Sequence, residues 1–237
     1  MPAILPNAAT VHYPSSDGEP VAETYLHLYA LLTTLEVLRQ YIQRVTFSDP
    51  QGTVLGNQFL YYSQGYPNLR VAPDTMVIFN VEPGGRDNYK IWEEGQVPSV
   101  IFEFTSKGTR SQDEGFKKTL YEQLGVEEYW LFDPKGEWIT EQLVGYRLQR
   151  GEYVPITDGR SEPLRLKLMV EGALIGFYRE DNGEKLLIPD ELAAELQRAE
   201  QNAEQERQRA ELAEQRAEVA EQKLAELQQR LQALEDG

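Results

Sequence analysis

The stretch Ser99-Val100-Ile101-Phe102-Glu103-Phe104-Thr105-Ser106 sets one acid inside an apolar run. Its composition and length suit a buried β-strand, where an unpaired charge is costly. A carboxylate at that position needs a partner, either a bound cation or an ion pair with Lys117 or Lys118. On the N-terminal side, Pro73-Asp74 stands at the entrance of a second apolar run, residues 76–81. On the C-terminal side, residues 112–124 read as a helix that stops at Gly125, a residue suited to a helix C-terminus. Two carboxylates at the ends of adjacent strands, with a lysine-bearing helix directly after, are the parts a magnesium-dependent phosphodiester hydrolase uses. The carboxylates supply oxygen ligands and the ammonium steadies the nucleophile or the phosphate.

Asp113, Lys117 and Tyr121 are spaced i, i+4 and i+8, so they share one helical face. That face is expected to aim Lys117 between Asp74 and Glu103, and to leave Lys118, about 100° round the helix, in solvent. A plain surface pair between Asp113 and Lys117 is the competing structural reading. Asp74, taken alone, is equally a turn residue after proline.

Composition narrows the chemistry. The chain has 237 residues, 41% of them apolar, enough for one ordinary domain and an extra element. No apolar run approaches the roughly 20 residues of a membrane span, and the first residues lack the pattern of a secretory signal. Zero cysteines exclude disulfides and thiolate metal sites, and two histidines cannot build a multi-histidine centre. A metal here would be held by oxygen, which favours magnesium, manganese or calcium. A cytoplasmic setting is expected. The net charge is −16, with 13 acidic and 6 basic residues from Asp190 onward, leaving −9 on residues 1–189. Broad electrostatic attraction to nucleic acid is therefore not expected, and a nuclease of this charge needs a local basic patch.

Along the chain, residues 1–18 read as an irregular lead-in. Residues 21–44 form an amphipathic helix through Leu28, Leu31, Leu32, Leu35, Leu38 and Ile42. Extended runs follow at 53–62, 69–71, 76–81, 100–105 and 129–132. A hairpin is expected around Arg150-Gly151 between 139–148 and 153–156, with further strands at 164–170 and 173–178. The pattern is α/β, one mixed sheet flanked by helices over residues 19–188.

From Leu192 apolar residues recur alternately every four and three positions through Leu234, broken only at Glu206. This predicts a coiled-coil helix over 189–237. With Leu196 at position a, a parallel in-register pair sets Arg209 against Glu214, Arg216 against Glu221 and Arg230 against Glu235 of the second chain. An antiparallel pair sets mostly like charges together, so a parallel homodimer is expected. The alternative is a solvated, charge-rich single helix.

The ordered series Pro73-Asp74, Glu103 to Ser106, Asp113, Lys117, Tyr121, Gly125-Val126, Glu128-Tyr129-Trp130 and Asp133-Pro134 resembles the Uma2 family, over about residues 18–187. That family is placed in the PD-(D/E)xK restriction-endonuclease-like fold. The resemblance implies a restriction-endonuclease-like mixed sheet, with Asp74 and Glu103 as ligands of Mg²⁺ (or Mn²⁺). It implies Lys117 from the helix in place of the lysine that the common nuclease signature carries two residues after the strand glutamate, where this chain has Thr105. It implies a further metal ligand from the first helix, Glu23 or Glu19, and His27 lies where many Uma2 members have a histidine. Gly84-Gly85-Arg86 and Lys90, between the two site strands, are read as a flexible loop in preference to a phosphate contact. The implied function is endonucleolytic hydrolysis of DNA. The alternative is a catalytically inactive nuclease-like core acting as a coiled-coil protein-interaction module, favoured by the acidity and by Thr105.

Overall fold

A computed structural model describes residues 11–18, 24–44 and 51–235. The predicted ligand Glu23 and its alternate Glu19 lie outside the described residues. The chain divides into two compact units, 1–188 and 189–237. In chain order the first unit holds α1 (Tyr25–Arg44), β1 (Gly52–Leu55), β2 (Leu60–Tyr61), β3 (Arg70–Val71), β4 (Thr75–Phe79), β5 (Tyr89–Lys90), α2 (Ile91–Glu94) and β6 (Val100–Phe104). There follow a π-helical turn (Gln112–Lys117), α3 (Lys118–Leu124), β7 (Glu128–Phe132), β8 (Leu143–Gln149), β9 (Glu152–Ile156), β10 (Arg160–Ser161), β11 (Leu166–Glu171) and β12 (Leu174–Arg179).

The fold is mixed α/β. A six-stranded sheet runs β1-β4-β6-β7-β8-β9, with small three-stranded sheets β10-β11-β12 and β3-β2-β5 beside it. Within the large sheet β6 and β7 pair in parallel, with Glu103 opposite Leu131, and the other neighbours pair antiparallel. A parallel pair requires a crossover, which the π turn and α3 supply.

Strand alternation decides which way Glu103 faces. Val100, Phe102 and Phe104 pack with α1 residues such as Leu31 and Leu38, and with Leu166 and Phe177 of the β10–β12 sheet. Ile101 faces the opposite side, toward Tyr121 of α3, Tyr129 and Leu131. Glu103 shares the parity of Ile101 and is delivered to the α3 side. Close packing fixes the neighbouring strand as well: a Cβ on Gly145 would lie 2.4 Å from Cζ3 of Trp130, so no side chain fits there.

Several expected elements differ in detail. The run 53–62 splits into β1 and β2, which join different sheets, because Asn57 turns the chain with φ 51°. The run 139–148 becomes a strand only from Leu143, since Ile139 to Gln142 is drawn into a turn. The hairpin at Arg150-Gly151 forms with both residues at positive φ, the pairing a two-residue hairpin turn requires. Leu28 and Leu32 are exposed, and α1 instead buries His27, Ala30, Leu31, Thr34, Leu38 and Tyr41. Residues 11–18 are irregular, but the Tyr13 ring packs edge-on against Tyr61 and tilted against Trp92 while its hydroxyl accepts from the Gly65 N–H at 2.6 Å.

The second unit is one helix, α4 (Pro189–Glu235), 47 residues and about 70 Å long at 1.5 Å per residue. Leu196, Leu224 and Leu227 of the expected seam are exposed, and so are Leu212 and Val219, which lie off it. Among the described residues no helix is long and apolar enough to cross a membrane.

Candidate active site

Four elements converge on Glu103. β6 carries it into the space beneath α3, where it is fully buried. Its Oε1 accepts from the Tyr121 hydroxyl at 2.7 Å, and its Oε2 accepts from the Lys117 ammonium at 2.8 Å. Lys117 also pairs with Asp113 Oδ1 at 2.9 Å. Asp113 is itself buried, with the Thr105 hydroxyl 3.5 Å from Oδ2 and the Tyr129 hydroxyl donating to its carbonyl at 3.0 Å. Asp74, just ahead of β4, accepts the Phe104 N–H at 2.7 Å through Oδ2 and stands within hydrogen-bonding reach of Glu103.

The helical part of this arrangement is not a regular α-helix. Gln112–Lys117 is π-helical and passes directly into α3. A π turn widens the helix by about one residue, and such turns recur at functional sites. Here Asp113, Lys117 and Tyr121 all reach the same space despite it. The ammonium that approaches the carboxylates is that of Lys117. Lys118 lies 3.6 Å from the centre of the Tyr146 ring, a cation–π contact that occupies it elsewhere.

Three carboxylates and one ammonium share this volume, an excess of negative charge in a dry place. Burial pushes the Asp74 carboxyl up to about 6, against the pull of the Phe104 N–H and Lys117. Burial likewise pushes Glu103 up to about 8, with Lys117 opposing the rise and Asp74 and Asp113 adding to it. Lys117 loses solvation too, but Glu103 and then Asp113 outweigh that loss and hold its ammonium above the ordinary lysine range. The carboxyl pair therefore retains a proton near neutral pH, shared between Asp74 and Glu103.

A pH dependence follows. Folded carboxyls at about 6 and about 8 bind protons that the unfolded chain has released. Their contribution to stability is complete below the unfolded carboxylate range and is lost as pH rises through 6 and then 8. The melting temperature of metal-free protein should fall between pH 5.5 and 8.5, and Glu103→Gln should flatten the upper half of that fall. Parallel profiles for both proteins would place the titrating group elsewhere.

Glu128 offers a contrast. It is also fully buried, but Arg147 at 2.9 Å, the Trp130 indole N–H at 3.1 Å and the Glu162 N–H at 3.0 Å satisfy it, and the one acid sharing its arginine, Glu162 at 2.7 Å, is exposed to water. A buried acid is thus not rare in this fold. Crowding with further acids is what marks Glu103.

The other candidates fall away from the cluster. His27 is buried and packs edge-on to Phe104, 6.1 Å between ring centres, on the face opposite Glu103. Arg86 is held by both oxygens of Glu94 at 3.0 Å, and Lys90 pairs with Glu93 at 3.0 Å, so the 84–90 segment spends its cations internally.

Residues 4–176 match the Uma2 family, described as "Putative restriction endonuclease". The chain belongs to the Uma2 family. Among the solved structures that resemble this Uma2 member is a protein of Anabaena variabilis described as "a putative nuclease belonging to DUF820". It is 14% identical, with a TM-score of 0.42, and the alignment covers 62% of this chain and 77% of that one. The likeness is too distant to bear on function. Among curated proteins none matches.

The residues can be tested for fit to a divalent cation. Among the described residues no group of three or more His, Asp or Glu side chains is set to enclose a metal. Asp74 and Glu103 nonetheless set two carboxyl groups close enough to feel each other's charge, with Asp74 partly exposed and Glu103 fully buried. Magnesium binds through one or two carboxylates and keeps several waters, so a two-carboxylate site reached from the Asp74 side fits it where a cage is absent.

Proposed function

We propose that this chain is a Mg²⁺- or Mn²⁺-dependent endonuclease that hydrolyses DNA phosphodiester bonds, with Asp74 and Glu103 as the cation's protein ligands. The observation that carries this reading is the Lys117 ammonium, 2.8 Å from Glu103 and 2.9 Å from Asp113, in a pocket already overcrowded with acids. A divalent cation supplies, when bound, positive charge to the scissile phosphate and acidifies water. Lys117 adds a donor of fixed position, because Asp113 anchors it from behind while it can offer its remaining N–H to a phosphate oxygen or to the attacking water. Tyr121 fixes the Glu103 carboxylate in one orientation. Asp74 and Glu103 would hold the cation as carboxylates, released of the proton they share. The setting is proposed to be cytoplasmic.

Mn²⁺ titration tests this reading without relying on turnover. The wild-type melting temperature should rise with cation, as ligand linkage requires, and Asp74→Asn should suppress the rise and the cleavage of DNA together. No shift in either protein would instead support the interaction-module reading, in which Lys117 merely neutralises a structural cluster.

The proposal extends to assembly. In α4 the side chains described beyond Leu192 are exposed, including leucines spaced for a partner. A second copy, parallel and in register, covers the seam and brings two sites to one substrate. The full chain should sediment at twice its 27.1 kDa mass, and a chain ending at Ile188 as a folded monomer. A full-length monomer at micromolar concentration would remove the dimer.

A further inference from the structure

A second feature lies where β6 and β7 end. A cavity of about 240 Å³ opens there, walled by the segments 105–108 and 133–138 together with Thr24 and His27 of the α1 region. Ligands of open α/β sheets collect beyond the carboxyl ends of parallel strands, and β6–β7 is the parallel pair of the large sheet. The cavity adjoins the candidate active site through Thr105, which lines it and whose hydroxyl faces Asp113.

Both walls are tied down. Asp133 is buried, and its carboxylate accepts the N–H groups of Lys135 at 3.1 Å, Trp138 at 2.6 Å and Ile139 at 3.1 Å. That bracing holds Lys135 and Trp138 on one rim. On the other, the Ser106 N–H donates to the Thr109 hydroxyl at 3.0 Å, shaping the turn that presents Lys107. Trp138 is half-buried, so part of its ring remains accessible, and Lys107 and Lys135 are exposed. Among the described residues neither lysine takes part in an ion pair. Both lie in a unit of net charge −9, and Glu137 is the exposed acid that lines the same cavity.

We infer that this cavity receives one unpaired nucleotide next to the scissile phosphate, its base against Trp138 and its phosphates between Lys107 and Lys135. This rests on the nuclease reading and names the structure of its substrate: single-stranded DNA, or a single-stranded branch of a duplex. An aromatic platform with flanking cations is how sequence-tolerant single-strand binding is built.

The test is binding of a fluorescent oligothymidylate and of a matched duplex in Ca²⁺, with cleavage in Mg²⁺ followed separately. Trp138→Ala should weaken single-strand binding about tenfold or more, and Trp138→Phe, which keeps a ring, should retain most of it. Lys107→Ala with Lys135→Ala should lower the slope of log affinity against log salt by about 1.4. Circular dichroism verifies that each variant is folded. Unchanged single-strand affinity and salt slope in these variants would overturn the inference, even if the protein cleaves duplex DNA. Binding that depends on Trp138 in a protein without cleavage would uphold the cavity and overturn the nuclease reading instead.

Discussion

Lys117→Met is expected to cost about 3–5 kcal/mol of unfolding free energy in metal-free protein at pH 7.5, the penalty for leaving buried charge without its partner. The ammonium stands between Glu103 and Asp113, each with a side chain only 1% exposed, and Asp74 lies beside them. Removing it leaves three acids facing one another out of water. Two conditions should recover part of the loss. Acidification to pH 5.5 protonates the pair, and millimolar Mn²⁺ replaces the missing positive charge. Urea unfolding measures all three conditions. A loss below about 1 kcal/mol at pH 7.5 would mean that water reaches the cluster and solvates it.

Glu103→Gln should separate stability from function. The amide keeps a side chain of the same shape and retains an oxygen for the Tyr121 hydroxyl, so the metal-free protein should stay folded. It also removes an acid from a crowded, buried site, which offsets the lost pair with Lys117. The cation-induced rise in melting temperature should vanish, and DNA cleavage should fall about a hundredfold or more. A variant that keeps both would show that Glu103 is a structural acid like Glu128. Large losses of function at little cost in stability are the signature of a residue placed for chemistry.

The sequence announced Glu103 because alternation along residues 100–104 left an acid where a core residue belongs. It announced the shared face of Asp113 and Lys117 because four-residue spacing survives a modest change in helical winding. The π turn itself had no signal, since no residue type demands it. The partners that hold Asp113, Thr105 from one strand and Tyr129 from the next, were equally hidden, because they depend on the register of β6 with β7. Thr105 reads in sequence as a missing lysine, and in the structure it is the residue that shapes the wall between the carboxylates and the cavity. The α1 surface misled for a different reason: Leu28 and Leu32 fit helical periodicity as well as the buried residues do, and only the sheet's position decides which stripe is covered. In α4 the helix was legible from its spacing, whereas Leu212 and Val219 lie off the expected seam and nothing in the structure explains them.

The crossover from β6 to β7 spans residues 100–132 and contributes Glu103, Asp113, Lys117 and Tyr121, while Asp74 stands just ahead of β4. Between them lies the exposed loop at Gly84 and Gly85, where an added side chain would meet nothing. Divided at that loop, the chain becomes two fragments, one bearing Asp74 and the other Glu103 and Asp113 with their ammonium. Their recombination restores the pairing of β4 with β6 and with it the whole constellation, which makes the fold a natural candidate for a split reporter whose signal appears only when its halves are brought together.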